Sequence, residues 1–295
     1  MKRKQWFKQS VLAAAAALVL GAAQAAPVML DNGVLKAQIN DAGTFSEYYS
    51  DPLGAPAGSP GLSYAGVEYV NHGTPISWYR FQNSAGDVTA SLGSNPFSAV
   101  TYGAGTTAAV SLAFGSLSFV QTIAITAANI LSVNVSITNN GADMRSVKWG
   151  VGFDPDQGIS IDGSPNFATD NTILSQGANA AVRASYGGFE TGFHTVTLRN
   201  TTSASAFSIA AYIDPYSCCS PVDPSVALSA GQLAGYFLAG DNSISLAYDL
   251  GTLASGKTAS FGYEYVFAVP EPESYAMFLA GLAMIGVMVR RRTSV

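Results

Sequence analysis

The chain has 295 residues, 48% hydrophobic, only 11% charged and with a net charge of −5, where an ordinary soluble chain carries about 25% charged residues. It is long enough to bury a sizeable core, and its surface has to be built from Ser, Thr, Asn and Gly in place of ions. Setting aside four basic residues before Gln9, three after Val289 and the acids Glu271 and Glu273, the body holds seven basic against seventeen acidic residues; this excludes the basic footprint that nucleic acid or an anionic lipid surface requires.

Residues 1–25 read as a signal peptide. Lys2, Arg3, Lys4 and Lys8 form a basic start, Val11 to Leu20 an apolar core, and Ala23-Gln24-Ala25 a small-x-small cleavage site at Ala23 and Ala25. The expectation is export, with an N-terminal signal helix that plays no part in the fold.

The body, residues 26–268, alternates with period two wherever it is apolar, as half-buried strands do. Leu35, Ala37 and Ile39 face one way, and Leu117, Phe119, Ile123 and Ile125 share a face. Leu131, Val133, Val135 and Ile137 alternate with Ser132, Asn134, Ser136 and Thr138, and Asn139-Asn140-Gly141 ends that strand in a turn. Val147, Trp149, Val151 and Phe153 resume the period, followed by Val196 with Leu198, Phe207 with Ile209 and Ala211, Ile244 with Leu246 and Tyr248, and Phe261 with Tyr263, Tyr265 and Phe267. The stretch from Asp51 to Gly73, rich in Pro and Gly, reads as a loop excursion. No ten-residue stretch of the body has a 3.6-residue apolar stripe. The expected fold is all-β, an antiparallel two-sheet β-sandwich in one domain.

Several patterns could carry chemistry. Trp78 and Tyr79 are candidate glycan contacts, as a stacking platform, or else ordinary core aromatics; period two lets only one of them face inward, so the other is exposed or covered by a loop. Asp154, Asp156 and Asp162 crowd one loop, with Asp170 nearby. They are candidate calcium ligands, since a hard cation relieves carboxylate repulsion; the alternative is a turn capped by its own side chains. The spacing is not that of an EF-hand. No other cofactor is expected. Cys218 and Cys219 are adjacent, either free thiols or an oxidised pair, with Asp214 and Asp223 the nearest acids in sequence and poor companions for soft thiolates. His194 falls in register with Val196 and Leu198, as a partly buried histidine would.

Gly251 to Thr258 fits the phosphate-loop pattern GxxxxGKT, yet a working loop of that kind opens a helix. Here Ala259 to Tyr265 alternates as a strand, so Ala254-Ser255-Gly256-Lys257 reads as a hairpin turn. The chain has no HExxH helix, GxSxG elbow or CxxC pair, and catalysis is not expected, although a glycosidase carboxylate pair leaves no local motif.

Leu30-Asp31-Asn32-Gly33 leading into a strand, and Ile137-Thr138-Asn139-Asn140 ending another, resemble the large supersandwich of the galactose mutarotases and related sugar-processing domains. The resemblance implies a fold, with a carbohydrate-binding or carbohydrate-active domain as the alternative function. It brings no activity with it, because the histidine pair and acid of that family have no counterpart here.

Residues 269–295 have three parts in order. Pro270-Glu271-Pro272 cannot continue a helix, Met277 to Val289 is an apolar run, and Arg290, Arg291 and Arg292 stop that run at a cytoplasmic membrane face. As a helix, Tyr275 to Val289 reaches about 22 Å against a hydrocarbon core of about 30 Å, short for a permanent span. The arrangement closely resembles the PEP-CTERM sorting signal of Gram-negative bacteria, which implies that exosortase reads the motif at a transient inner-membrane station. The protein is then expected at the cell surface or in the extracellular matrix, a structural or interaction protein whose partners are exopolysaccharide or another surface glycan.

Overall fold

The computed structural model describes residues 27–40, 42–45, 61–70, 77–84, 86–91, 100–163, 167–188, 192–203 and 207–269. The signal peptide and residues 270–295, with the helices expected at both ends, lie outside the described residues. Among those described, no helix is long and apolar enough to cross a membrane.

The chain begins with β1 (Val28–Asp31), β2 (Leu35–Ile39), β3 (Leu62–Tyr64) and β4 (Val67–Glu68), which make a four-stranded sheet in that order. It continues through β5 (Ser77–Asn83), β6 (Gly86–Ser91), β7 (Val100–Ala104), β8 (Thr107–Phe114), β9 (Leu117–Ala127), β10 (Ile130–Asn139) and β11 (Arg145–Phe153). After a short helix α1 (Gly158–Asp162) come β12 (Thr169–Ser175), β13 (Ala181–Gly188), β14 (Gly192–Asn200) and β15 (Ser208–Ile213); after α2 (Pro224–Ser229) come β16 (Phe237–Gly240), β17 (Ile244–Leu253) and β18 (Thr258–Ala268). A nine-stranded sheet has the order β16-β12-β13-β14-β18-β10-β9-β8-β7, and a five-stranded sheet the order β15-β17-β11-β5-β6, with every named strand pair antiparallel. The all-β expectation is therefore met, with three sheets instead of two.

The two larger sheets face each other across the residues that period two turns inward. On β10, Leu131, Val133, Val135 and Ile137 are buried, and each such side chain is worth about 1.5–3 kcal/mol in transfer from water. Their cross-strand partners include Ile123 and Tyr263 opposite Val133, and Phe119 and Ala259 opposite Ile137. Trp149 of the five-stranded sheet reaches across to Phe119 and Phe261 of the nine-stranded one, with ring centroids 5.9 and 5.8 Å away. It also stacks on Tyr79 at 4.9 Å and 6°. The described part of the Pro/Gly-rich excursion, residues 61–70, contains the small β3–β4 hairpin, and Leu62, Tyr69 and Val70 join the main core.

One connection differs from expectation. Ala254 to Lys257 turns tightly, with the Lys257 N–H donating to the Ala254 carbonyl at 3.0 Å and Gly256 at φ +70°. Yet β17 pairs with β11 and β15, while β18 pairs with β10 and β14. The turn is an arch between the sheets and not a hairpin within one. Asn139 holds the arch in place. Its side-chain amide donates to the Leu253 carbonyl at 2.9 Å, and its own carbonyl accepts from the Gly256 N–H at 2.7 Å.

Candidate functional site

Strand β5 carries Trp78 and Tyr79 on opposite faces, and both are buried, at 1% and 2% exposure. Tyr79 points into the core, and its hydroxyl donates to the Ala42 carbonyl at 2.7 Å. Trp78 points out of the five-stranded sheet and lies beneath α2, packed with Tyr212, Val222, Ala227 and Ala247. The neighbouring strand makes room for it. Gly152, its cross-strand partner, has no space for a Cβ, which would sit 2.6 Å from the indole. Covered on both sides, neither ring can serve as a glycan platform, and that candidacy is withdrawn. Arg80, on the same strand, is bonded to Asp87, donates to the Pro221 carbonyl at 3.3 Å and lies 3.6 Å from Asp223, the N-cap of α2. Asp223 is thereby occupied, and Asp214 accepts from the Tyr216 N–H at 2.9 Å, so neither acid belongs to the cysteine pair. Cys218 and Cys219 form a disulfide across a Cα separation of 3.7 Å.

The acidic loop divides in two. Asp154 and Asp156 follow β11 directly and are buried, at 2% and 1% exposure. Asp162 lies instead at the end of α1, exposed, where it accepts from the Tyr186 hydroxyl at 2.6 Å. The acid that joins the first two is Asp241, in the turn between β16 and β17, and the three offer carboxylate oxygens within 4.8 Å of one another. Burial pushes the Asp154 and Asp156 carboxyls well above the usual carboxylate range; the charge of Asp241 adds to this at Asp154, and those of Asp154 and then Asp241 at Asp156. Burial also raises Asp241. Sequence spacing could not supply Asp241, which lies on a different strand connection; its one local signal was an Asp-Asn-Ser turn after Gly240.

Asp162, Asp170, Ser185 and Tyr186 line an open cleft of about 410 Å³. On the outer face of the nine-stranded sheet, hydroxyls pair across strands, Ser136 with Ser260 at 2.9 Å and Thr138 with Thr258 at 2.8 Å. Nearby, Glu264 accepts from Ser132 at 2.9 Å and from Arg199 at 2.8 Å. Arg199, Thr197, Ser175 and Val266 line a second open groove of about 560 Å³ there. His194 is half-buried, as its register suggested, and its carbonyl accepts from the Gln157 side chain at 3.5 Å. Lys257 is exposed and is followed directly by strand β18 in place of a helix, so the phosphate-loop pattern lacks its structural context.

A family profile described as the PEP-CTERM protein-sorting motif matches residues 268–292. This is the sorting signal carried by Pro270-Glu271-Pro272, the apolar run and Arg290, Arg291 and Arg292, and it implies an exported protein with a membrane-anchored transit and exosortase as its processing partner. The motif residues and the cleavage candidates Ala23 and Ala25 lie outside the described residues. No curated protein matches the chain. Among solved structures, the galactose mutarotase-like protein of Lactobacillus casei is similar at 11% identity and a TM-score of 0.41, over 82% of this chain and 100% of that one. The polysaccharide lyase BACCELL_00875 is similar at 15% and 0.41, over 76% and 32%, and the heparan sulfate lyase HepC of Pedobacter heparinus at 8% and 0.37, over 82% and 31%. The chain spans about a third of the length of either lyase. At such TM-scores these likenesses carry no functional argument.

Proposed function

We propose that this is an exported protein, sorted through exosortase to the cell surface or the exopolysaccharide matrix, whose supersandwich-like body works there as a structural or interaction protein without catalysis. The observation that supports this most is the place of the sorting motif. The match begins at residue 268, and β18 ends at Ala268, so processing within the motif leaves every described strand in place. The inner membrane is then a transient station and a surface glycan the lasting partner. The hydroxyl-lined outer face of the nine-stranded sheet suits that partner, because Ser and Thr both donate and accept, as sugar hydroxyls require. The test is the intact mass and C-terminal sequence of protein recovered from the surface of its native host. The expected chain begins at residue 26 and lacks Phe278 to Arg292; a surface chain that keeps those residues overturns the sorting reading while leaving export standing.

A second reading, a carbohydrate-active domain, is favoured by one feature, the cleft where Tyr186 stands beside Asp162 and Asp170. Incubation with host exopolysaccharide separates the two. New reducing ends or unsaturated products that disappear in Asp162→Asn or Asp170→Asn support an enzyme, and an unchanged polymer that still co-sediments with the protein supports a binder.

A further inference from the structure

Asp154 and Asp156 are buried side by side, and Asp241 closes on them from another connection. Crowded acids alone would mean little. What sets this group apart is that two of its buried oxygens accept no hydrogen bond. Oδ1 of Asp154 and Oδ1 of Asp156 are both sealed from solvent without a hydrogen bond, and among the described residues no ion pair includes any of the three acids. Oδ2 of Asp154 lies 3.7 Å from Sγ of Cys219, but a disulfide sulfur has no proton to donate. Burying a carboxylate with neither donor nor counter-charge is strongly disfavoured, and here two lie together.

We propose that Asp154, Asp156 and Asp241 form a calcium site that fastens the two large sheets together at one end of the fold. The topology places it at that junction. Asp154 and Asp156 leave β11, the central strand of the five-stranded sheet, and Asp241 joins the edge strand β16 of the nine-stranded sheet to β17 of the five-stranded one. Both approaches are held by the backbone or next to it. The Asp156 N–H donates to the Tyr69 carbonyl at 2.9 Å, the Asn242 side chain to the Asp214 carbonyl at 2.8 Å and the Ser243 N–H to the Ser217 carbonyl at 3.3 Å.

The donor set selects the ion. Oxygens bound to one calcium at about 2.3–2.6 Å stand no more than roughly 5 Å apart, and these converge within 4.8 Å. Zinc prefers thiolate and imidazole donors, whereas this set is all carboxylate and both nearby sulfurs are committed to the disulfide. Magnesium keeps several of its waters, and two of these carboxylates are shut away from water.

The test is thermal melting of the chelator-treated full-length protein, with calcium, magnesium or zinc added back and bound metal counted. Calcium at a few millimolar should raise Tm by about 5 °C or more, as a native-state ligand well above its Kd does, with one ion per chain. Asp241→Asn, at the exposed member, should leave the metal-free Tm within about 1 °C and weaken calcium binding at least tenfold. Asp156→Asn should abolish the calcium shift while melting, metal-free, no lower than the parent, since an amide removes the buried charge. No calcium shift in the parent, an equal shift in Asp241→Asn, or a larger shift with magnesium or zinc overturns the proposal.

Discussion

Along β11, Val147, Trp149, Val151 and Phe153 are buried against the rings and branched chains of the opposite sheet, whereas Asp154 and Asp156, which follow at once, are buried as deeply with an Oδ1 each that accepts no hydrogen bond. The first kind of burial stabilises by itself, because each apolar side chain gains by leaving water. The second stabilises only when something else arrives. One strand thus carries both the part of the molecule that explains its own folding and the part that calls for an outside ligand.

The largest effect should come from breaking the apolar part. Trp149→Ala removes a ring that contacts Tyr79, Phe119 and Phe261 at once. It is expected to cost about 3–5 kcal/mol, the range for a large aromatic lost from a core, read by urea denaturation. A loss below about 1 kcal/mol would mean that the facing sheets are held elsewhere.

The acidic part should show itself through pH. Without calcium, Asp154 and Asp156 have carboxyls raised above the unfolded value, so the native state holds protons that the unfolded state releases. Stability is then greatest near or below the ordinary carboxylate value of 3.8 and falls as pH climbs through the raised native range. In chelator, Tm from this source should decline as pH rises above the ordinary carboxylate value, since each tenfold difference in proton affinity between the native and unfolded states is worth about 1.4 kcal/mol. Asp156→Asn should flatten the decline, and an equally steep curve in that variant would separate the slope from these acids.

A smaller change belongs to carboxylates that do have partners. Asp223 accepts from the Ser225 N–H at 2.7 Å as the cap of α2 and lies beside Arg80. Asp223→Ala should cost about 1 kcal/mol and, because α2 covers Trp78, shift tryptophan emission to longer wavelength. Unchanged emission would show that Val222 and Ala227 hold the cover without the cap.

What could be read from sequence follows the same division. The inward faces of β9, β10, β11, β17 and β18 were legible because period two is a local signal that burial enforces residue by residue. The cover over Trp78 was legible only as an either-or, although Gly152 opposite it and Gly150 two residues before marked a close approach. The meeting of Asp241 with Asp154 was not legible, since it depends on which strand pairs with which, and nothing local encodes that. The step between sheets at Ala254 to Lys257 was missed for the same reason. A tight turn looks alike in sequence whether it joins neighbours in one sheet or crosses to another.

That arch also gives the smallest predicted effect. Lys257 is exposed, its N–H closes the turn, and the Gly256 N–H is held by the Asn139 carbonyl. Every one of these bonds belongs to the backbone, so Lys257→Ala should leave them intact and change stability by no more than about 0.5 kcal/mol, the usual range for a surface site. The phosphate-loop pattern of Gly251 to Thr258 makes the opposite prediction, with the lysine indispensable and ATP raising Tm. The two are separated by melting the parent and Lys257→Ala with and without millimolar ATP and magnesium. Four curves within about 1 °C of one another are expected, because a lysine that opens a strand has no helix N-terminus behind it to complete a phosphate site. A rise with ATP in the parent that vanishes in Lys257→Ala would turn the arch into a binding loop and reverse the non-catalytic reading of this end of the fold.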